Sequence, residues 1–155
     1  LRPAAPQTKL NSSKGTAEWA TRNSGENMKK VFLIFVLSFF LNLIWENLHS
    51  LLYINYLGGK ISELILVHAT LGDAIIITLL FLPFIYLPNQ KQKSWLIIPL
   101  GVLIAISVEI YALRTGMWAY NEFMPIIPLL KIGLTPTIQL GLLGYLTYWL
   151  VEKKT

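Results

Sequence analysis

The sequence predicts an all-α, polytopic membrane protein, a bundle of four transmembrane helices, and three observations carry that reading. Four long apolar runs divide the chain beyond its first 30 residues. Only 14% of the 155 residues are charged and 54% are hydrophobic, against about 25% charged in ordinary soluble domains. The basic residues of this +5 chain sit at the ends of the apolar runs, where they set orientation and form no patch suited to nucleic acid. Cysteine is absent, which excludes disulfides and thiolate metal ligands.

Residues 1–27 are polar, rich in Ser, Thr, Asn, Gly and Pro, and show no periodicity, so a disordered leader is expected. Met28-Lys29-Lys30, followed at once by Val31-Phe32-Leu33-Ile34, looks like the start of a bacterial membrane protein. Either the functional protein starts at Met28 or the leader is a flexible cytoplasmic tail; in both cases it is expected to be dispensable, and the membrane domain to cover 28–155.

The helices are expected over about 31–52, 61–87, 95–113 and 132–151, each near the ~20 residues that cross a bilayer. Pro83, late in the second, and Pro136, early in the fourth, predict kinks or shortened ends. Lys29, Lys30, Lys91, Lys93, Lys153 and Lys154 fall on one side of this arrangement, and Lys60, Arg114 and Lys131 on the other. The bias places both termini in the cytoplasm and the chain in a bacterial cytoplasmic membrane. Trp95 and Trp149 then mark one interface, and Tyr53, Tyr56, Trp118 and Tyr120 the other. Residues 114–131 are too apolar for a solvated linker and are expected to lie on the membrane or fold back as a lid. The first and third helices each carry a Glu followed by aromatics, a faint trace of two related hairpins.

The polar residues inside these runs are the functional signal, because ionisable groups in hydrocarbon are costly. Asn42, Glu46 and His49 are spaced four and three apart and share one helical face. At about 1.5 Å per residue, Glu46 lies roughly 22 Å along its helix in a core of ~30 Å, and Glu109 roughly 21 Å along the third. His68 and Gln139 fall at the same level on the second and fourth helices. Asp73 lies nearer the midplane and Arg114 at the rim. Duller readings exist for each: interhelical hydrogen bonds for Asn42, Gln139 and Asp73 (the last helped by close approach at Gly72), a backbone-bonded histidine for His68, an ion pair with Arg114 for Glu109.

Three chemistries fit. Glu46-x-x-His49 has the spacing of carboxylate metal sites in bundles, which His68, Asp73 and Glu109 would complete with a divalent metal. Only one such pair occurs, and His68 and Asp73 are too far apart around their helix to aim at one centre. Alternatively, Glu46, His49, His68 and Glu109 would move protons on a lipid-soluble substrate, with Trp45, Trp118 and Tyr120 around it. A proton or ion path is the third, although no polar residues continue into the cytoplasmic half.

Trp45-Glu46, His68-Ala69-Thr70-x-Gly72-Asp73, Glu109, Arg114-x-Gly116-x-Trp118-Ala119-Tyr120-x-x-x-Met124-Pro125 and Gly133-Leu134-x-Pro136-x-x-Gln139 together resemble a group of small bacterial four-span membrane proteins, itself uncharacterised. The resemblance covers Met28 to Val151 and implies a fold and a residue set, but no activity. A weaker likeness, to sterol-isomerase-type membrane domains, serves as analogy.

The expected function is thus a membrane-embedded enzyme or binding protein for a lipid or lipid-soluble molecule. Glu46 is its acid/base or first ligand, with His49, His68 and Glu109 as partners. Asn42, Trp45, Arg114, Trp118, Tyr120 and Gln139 surround the ligand. The alternative is a non-catalytic subunit, in a homo-oligomer or a membrane complex, whose polar residues serve packing.

Overall fold

A computed structural model describes residues 8–87 and 91–154. Four helices follow in order: α1 (Thr8–His49), α2 (Glu63–Tyr86), α3 (Ile97–Thr115) and α4 (Leu134–Lys154). Three helical stretches, Ser24–Leu52, Glu63–Tyr86 and Lys93–Thr115, are long and apolar enough to cross a membrane. α4 has 21 residues, and beside the buried Leu140, Leu143 and Val151 its inward face carries polar groups. Thr137, Gln139 and Thr147 are buried there, and each is hydrogen-bonded.

The expected disordered leader is corrected in part. Residues 8–27 are helical and continuous with the first span; residues 1–7 lie outside the described residues. Once an apolar span supplies the nucleus, each preceding residue needs only propagation, and Ala17, Glu18 and Ala20 are good helix formers. Pro83 sits in the last turns of α2. Pro99 and Pro136 sit in the first turns of α3 and α4, where a missing N–H is harmless.

The all-α expectation needs a second correction. Strand β1 (Tyr53–Tyr56) pairs antiparallel with β2 (Trp118–Tyr120). β3 (Ile126–Ile127) pairs with β4 (Ile132–Gly133). Alternation in these short aromatic and branched stretches was too brief to register beside the helical runs. Together the ribbons close one end of the bundle, with Asn121 donating from its side chain to the Leu51 carbonyl at 2.7 Å.

Two hairpins make the bundle: α1 packs along α2, α3 packs along α4, and α1 joins them through α4. In the second hairpin the backbones touch. A Cβ on Gly101 would lie 2.6 Å from the Gly141 nitrogen, and one on Gly141 would lie 2.6 Å from the Ile98 carbonyl oxygen. Gly72, expected to serve close approach, has nothing within 4 Å of such a Cβ and instead lines a cavity. The apolar core, with Ile34, Ile77, Phe81, Phe84, Ile97 and Leu143, fills the end of the bundle away from the ribbons.

Candidate functional site

The end of α1 delivers most of the site. Asn42, Glu46 and His49 project from its inner face and are all buried, as their spacing requires. Asn42 is anchored by its amide to the Ser38 carbonyl, 2.8 Å away. From α4, the Gln139 side-chain nitrogen faces three acceptors: Asn42 at 3.0 Å, Glu46 at 2.6 Å and Asp73 of α2 at 2.6 Å. An amide nitrogen carries two hydrogens, so one of them is shared. This knot ties three helices together inside the bundle.

A second polar group lies next to it. His49 Nδ1 is 3.9 Å from Glu46 Oε1 and 3.2 Å from the Trp45 carbonyl. His49 Nε2 is 3.3 Å from the Tyr53 hydroxyl. That hydroxyl donates to Glu109 Oε1 on α3 at 3.4 Å. Glu109 Oε2 accepts from Trp118 Nε1 at 3.4 Å and from the Tyr120 hydroxyl. Tyr120 in turn accepts from the Gly133 backbone N–H at 2.9 Å. Thus the β1–β2 ribbon folds aromatic side chains back onto the buried Glu109, as the lid expectation anticipated. The Tyr53 ring lies 6.1 Å from Trp118 and 5.4 Å from Tyr120, edge on. Tyr56 stacks on Trp118 at 6.3 Å.

Burial first, and then the neighbouring Glu109 charge, hold the Tyr53 phenol well above its ordinary range. Burial, then the hydrogen bond to Glu109, raises Tyr120 in the same direction. Both phenols therefore stay protonated and able to donate at neutral pH.

These groups border a cavity of about 620 Å³, within the range that holds a small organic molecule. Glu46, His49, Tyr53, Asp73, Glu109, Trp118 and Gln139 face it. Apolar side chains of α2, α3 and α4 make much of the remaining wall.

Several expectations are corrected by this geometry. His68 lines the cavity, but it is exposed and its Nδ1 is bonded 2.7 Å from its own Leu64 carbonyl. It forms no pair with Glu46; the α2 partner of Glu46 is Asp73, one further turn along, joined through Gln139. Arg114 is exposed and lines a separate hollow with Lys131, so it neither pairs with Glu109 nor holds the rim of the site. Asn42 supports Gln139 from behind the cavity wall. Trp45 packs beside the core, its buried indole N–H without a hydrogen-bond partner. Among the described residues no three His, Asp or Glu side chains converge as a metal ligand set. The Gln139 amide, which lies between Glu46 and Asp73, binds their oxygens itself.

One residue the sequence reading missed as a site member is Tyr53, assigned only to an interfacial belt. The chain matches no family model, and no curated protein or solved structure is similar enough to inform the site.

Proposed function

We propose that this chain is a membrane-embedded protein that binds a lipid-soluble molecule and moves a proton on it. The observation that carries the reading is the unbroken hydrogen-bonded string His49–Tyr53–Glu109 along the wall of a largely apolar cavity.

The same heavy-atom positions accommodate two proton arrangements. In one, the His49 imidazolium donates from both ring nitrogens, to the Trp45 carbonyl and to Tyr53, while Tyr53 donates to the Glu109 carboxylate. In the other, His49 is neutral at Nε2, Tyr53 donates to it, and Glu109 carries the proton and donates to Tyr53. The two differ by one proton passed from nitrogen to phenol oxygen as the phenol proton passes to carboxylate. No heavy atom need move far, which is what a relay requires. Glu46, 3.9 Å from His49, steadies the imidazolium charge, and Gln139 fixes Glu46. Tyr56 and Trp118 present ring faces and edges to the cavity, where a developing positive charge would be stabilised.

The finer architecture belongs to the same proposal: α4 is a fourth span, with both termini in the cytoplasm of a bacterial cell. At about 1.5 Å per residue its 21 residues approach the ~30 Å core. Its end lies beside the start of the first span, with Lys30 Nζ 3.9 Å from Glu152. A reporter fused after Thr155 should be active only in the cytoplasm, and one inserted at Asn121 only outside.

The functional test uses protein expressed in ordinary medium and purified into D2O buffer. Organic extracts of wild type, Tyr53→Phe and Glu109→Gln are compared by mass spectrometry. A relay predicts a co-purifying lipophilic molecule that gains deuterium in wild type and far more slowly in either variant. A bound molecule exchanging equally in all three, or none at all, would favour the packing-subunit reading, whose support is that Gln139 satisfies Asn42, Glu46 and Asp73 internally.

A further inference from the structure

The cavity has a mouth, and the mouth is on the side of the bundle. α2 packs closely on α1, and α3 on α4, but α2 and α3 touch little, and the core they share fills the end of the bundle away from the ribbons. There Phe81 and Phe84 of α2 and Ile97 of α3 join one core. Towards the ribbons the cavity lies between the two helices. Ile65, Ala69, Gly72 and Ile76 form one cavity-facing stripe of α2, opposite Ala105, Val108 and Glu109 of α3. Leu64 and Val108 border the cavity from either side, yet are 67% and 42% exposed. Both belong to stretches apolar enough to lie in hydrocarbon, so the opening faces lipid.

The cavity's charge restricts what passes through it. Its titratable lining consists of Glu46, Asp73, Glu109, His49, His68 and tyrosines; no Lys or Arg is among the described lining residues. Of the loop cations, Arg114 and Lys131 sit in the separate hollow, and Lys60, beside the cavity-lining Ile61, is exposed. A carboxylate or phosphate head would be desolvated against buried carboxyls, while the cavity's buried imidazole, His49, is already engaged by Trp45, Tyr53 and Glu46. A neutral hydroxyl finds hydrogen-bond partners there, and an ammonium finds carboxylates and the Trp118 ring.

We propose that the α2–α3 cleft is a lateral doorway, through which a single-chain amphiphile with a neutral or cationic head slides in from the bilayer and seats that head among Tyr53, Glu109 and Trp118. This rests on the ligand-binding reading above and adds the route and the head-group class. Size fits one chain rather than two: 620 Å³ is the scale of a drug-sized molecule.

The chain has no native cysteine, so a single thiol reports cleanly. Gly72→Cys, where a side chain meets nothing within 4 Å, is placed in the cleft, with Ala69→Cys as a second cleft variant should the first fold poorly. Leu142→Cys on the exposed face of α4 and Lys60→Cys in the loop serve as lipid and water references. In proteoliposomes, each is treated with a lipid-soluble or a charged methanethiosulfonate, with and without dodecylamine, dodecanol or dodecanoate. The doorway predicts that cleft thiols follow Leu142→Cys, reacting with the lipid-soluble reagent and at least tenfold more slowly with the charged one. Amine and alcohol should slow cleft labelling several-fold, and the carboxylate should not. Labelling by the charged reagent as fast as at Lys60→Cys, with amine protection retained, would overturn the doorway while leaving a ligand site. Equal protection by dodecanoate would overturn the head-group assignment. No protection by any amphiphile would overturn the ligand-binding reading itself.

Discussion

Gln139→Leu removes the one donor that ties Asn42, Glu46 and Asp73 together, and its cost can be worked contact by contact. Hydrogen bonds between membrane helices average about 0.6 kcal/mol each, so three lost contacts amount to roughly 2 kcal/mol. Of the three acceptors, Asp73 borders the cavity and can turn towards it. Asn42 is fully buried, at 0% exposure, and cannot; an unsatisfied buried acceptor costs about 1–3 kcal/mol. With Asn42 counted as the unsatisfied acceptor and the other two contacts at the average, the expected loss is about 2–4 kcal/mol. For a chain of this size each kcal/mol shifts the melting temperature by roughly 2–4 °C, so a drop of about 4–16 °C should appear in detergent at fixed scan rate. Replacing both partners separates the knot from general packing. Asn42→Leu alone should also destabilise, but the pair Asn42→Leu/Gln139→Leu should cost less than the two singles together, by at least about 0.5 kcal/mol. A Gln139→Leu melting point within a degree of wild type, with additive double changes, would refute the assignment of Gln139 as the link between α1, α2 and α4.

The glycines give a sharper contrast. Gly101→Ala places a methyl 2.6 Å from the Gly141 nitrogen and should cost about 1–3 kcal/mol, whereas Gly72→Ala meets open space and should be neutral or, by helix propensity, up to about 1 kcal/mol stabilising. Thermal melts of the two variants side by side check this. The tyrosines predict a pH dependence. Because Tyr53 and Tyr120 are held above the ordinary phenol value of 10.0 in the folded chain, their contribution to stability is fully present below about pH 10 and is lost as pH rises beyond it. Melting temperature should fall above that pH, less steeply in Tyr53→Phe/Tyr120→Phe, and phenolate absorbance should jump on unfolding at pH 11.

The long apolar runs and the Asn42–Glu46–His49 face were legible because helical spacing fixes both without reference to any neighbour. Depth counting puts Glu46, Glu109 and Gln139 at one level, and all three border the cavity, but it says nothing about angle around the helix. His68 shares their level and lines the cavity wall, while Asp73, a turn away, completes the knot. Tyr53 and Tyr120 reach the site only because β1 and β2 pair across more than sixty residues of chain, a long-range event that no local pattern encodes. Likewise Arg114, one residue before the end of α3, is turned away by helix geometry that its five-residue separation from Glu109 already hinted at.

The backbone contact at Gly101 and Gly141 makes α3 and α4 a stiff half, and the polar string crosses from the other half to this one. Its crossing step, Tyr53 to Glu109, is already 3.4 Å long, near the limit at which a proton is shared. Spreading the halves to widen the α2–α3 mouth would lengthen that step first. An open, empty molecule would then be electrically silent, and a closed, occupied one would conduct its proton only as far as the ligand. The layer beyond the cavity is mainly aliphatic and aromatic, and its Ser38, Thr78 and Thr147 hydroxyls are bonded to carbonyls of their own helices. A bilayer whose proton gradient must be conserved would thus tolerate acidic side chains at this depth without being short-circuited by them.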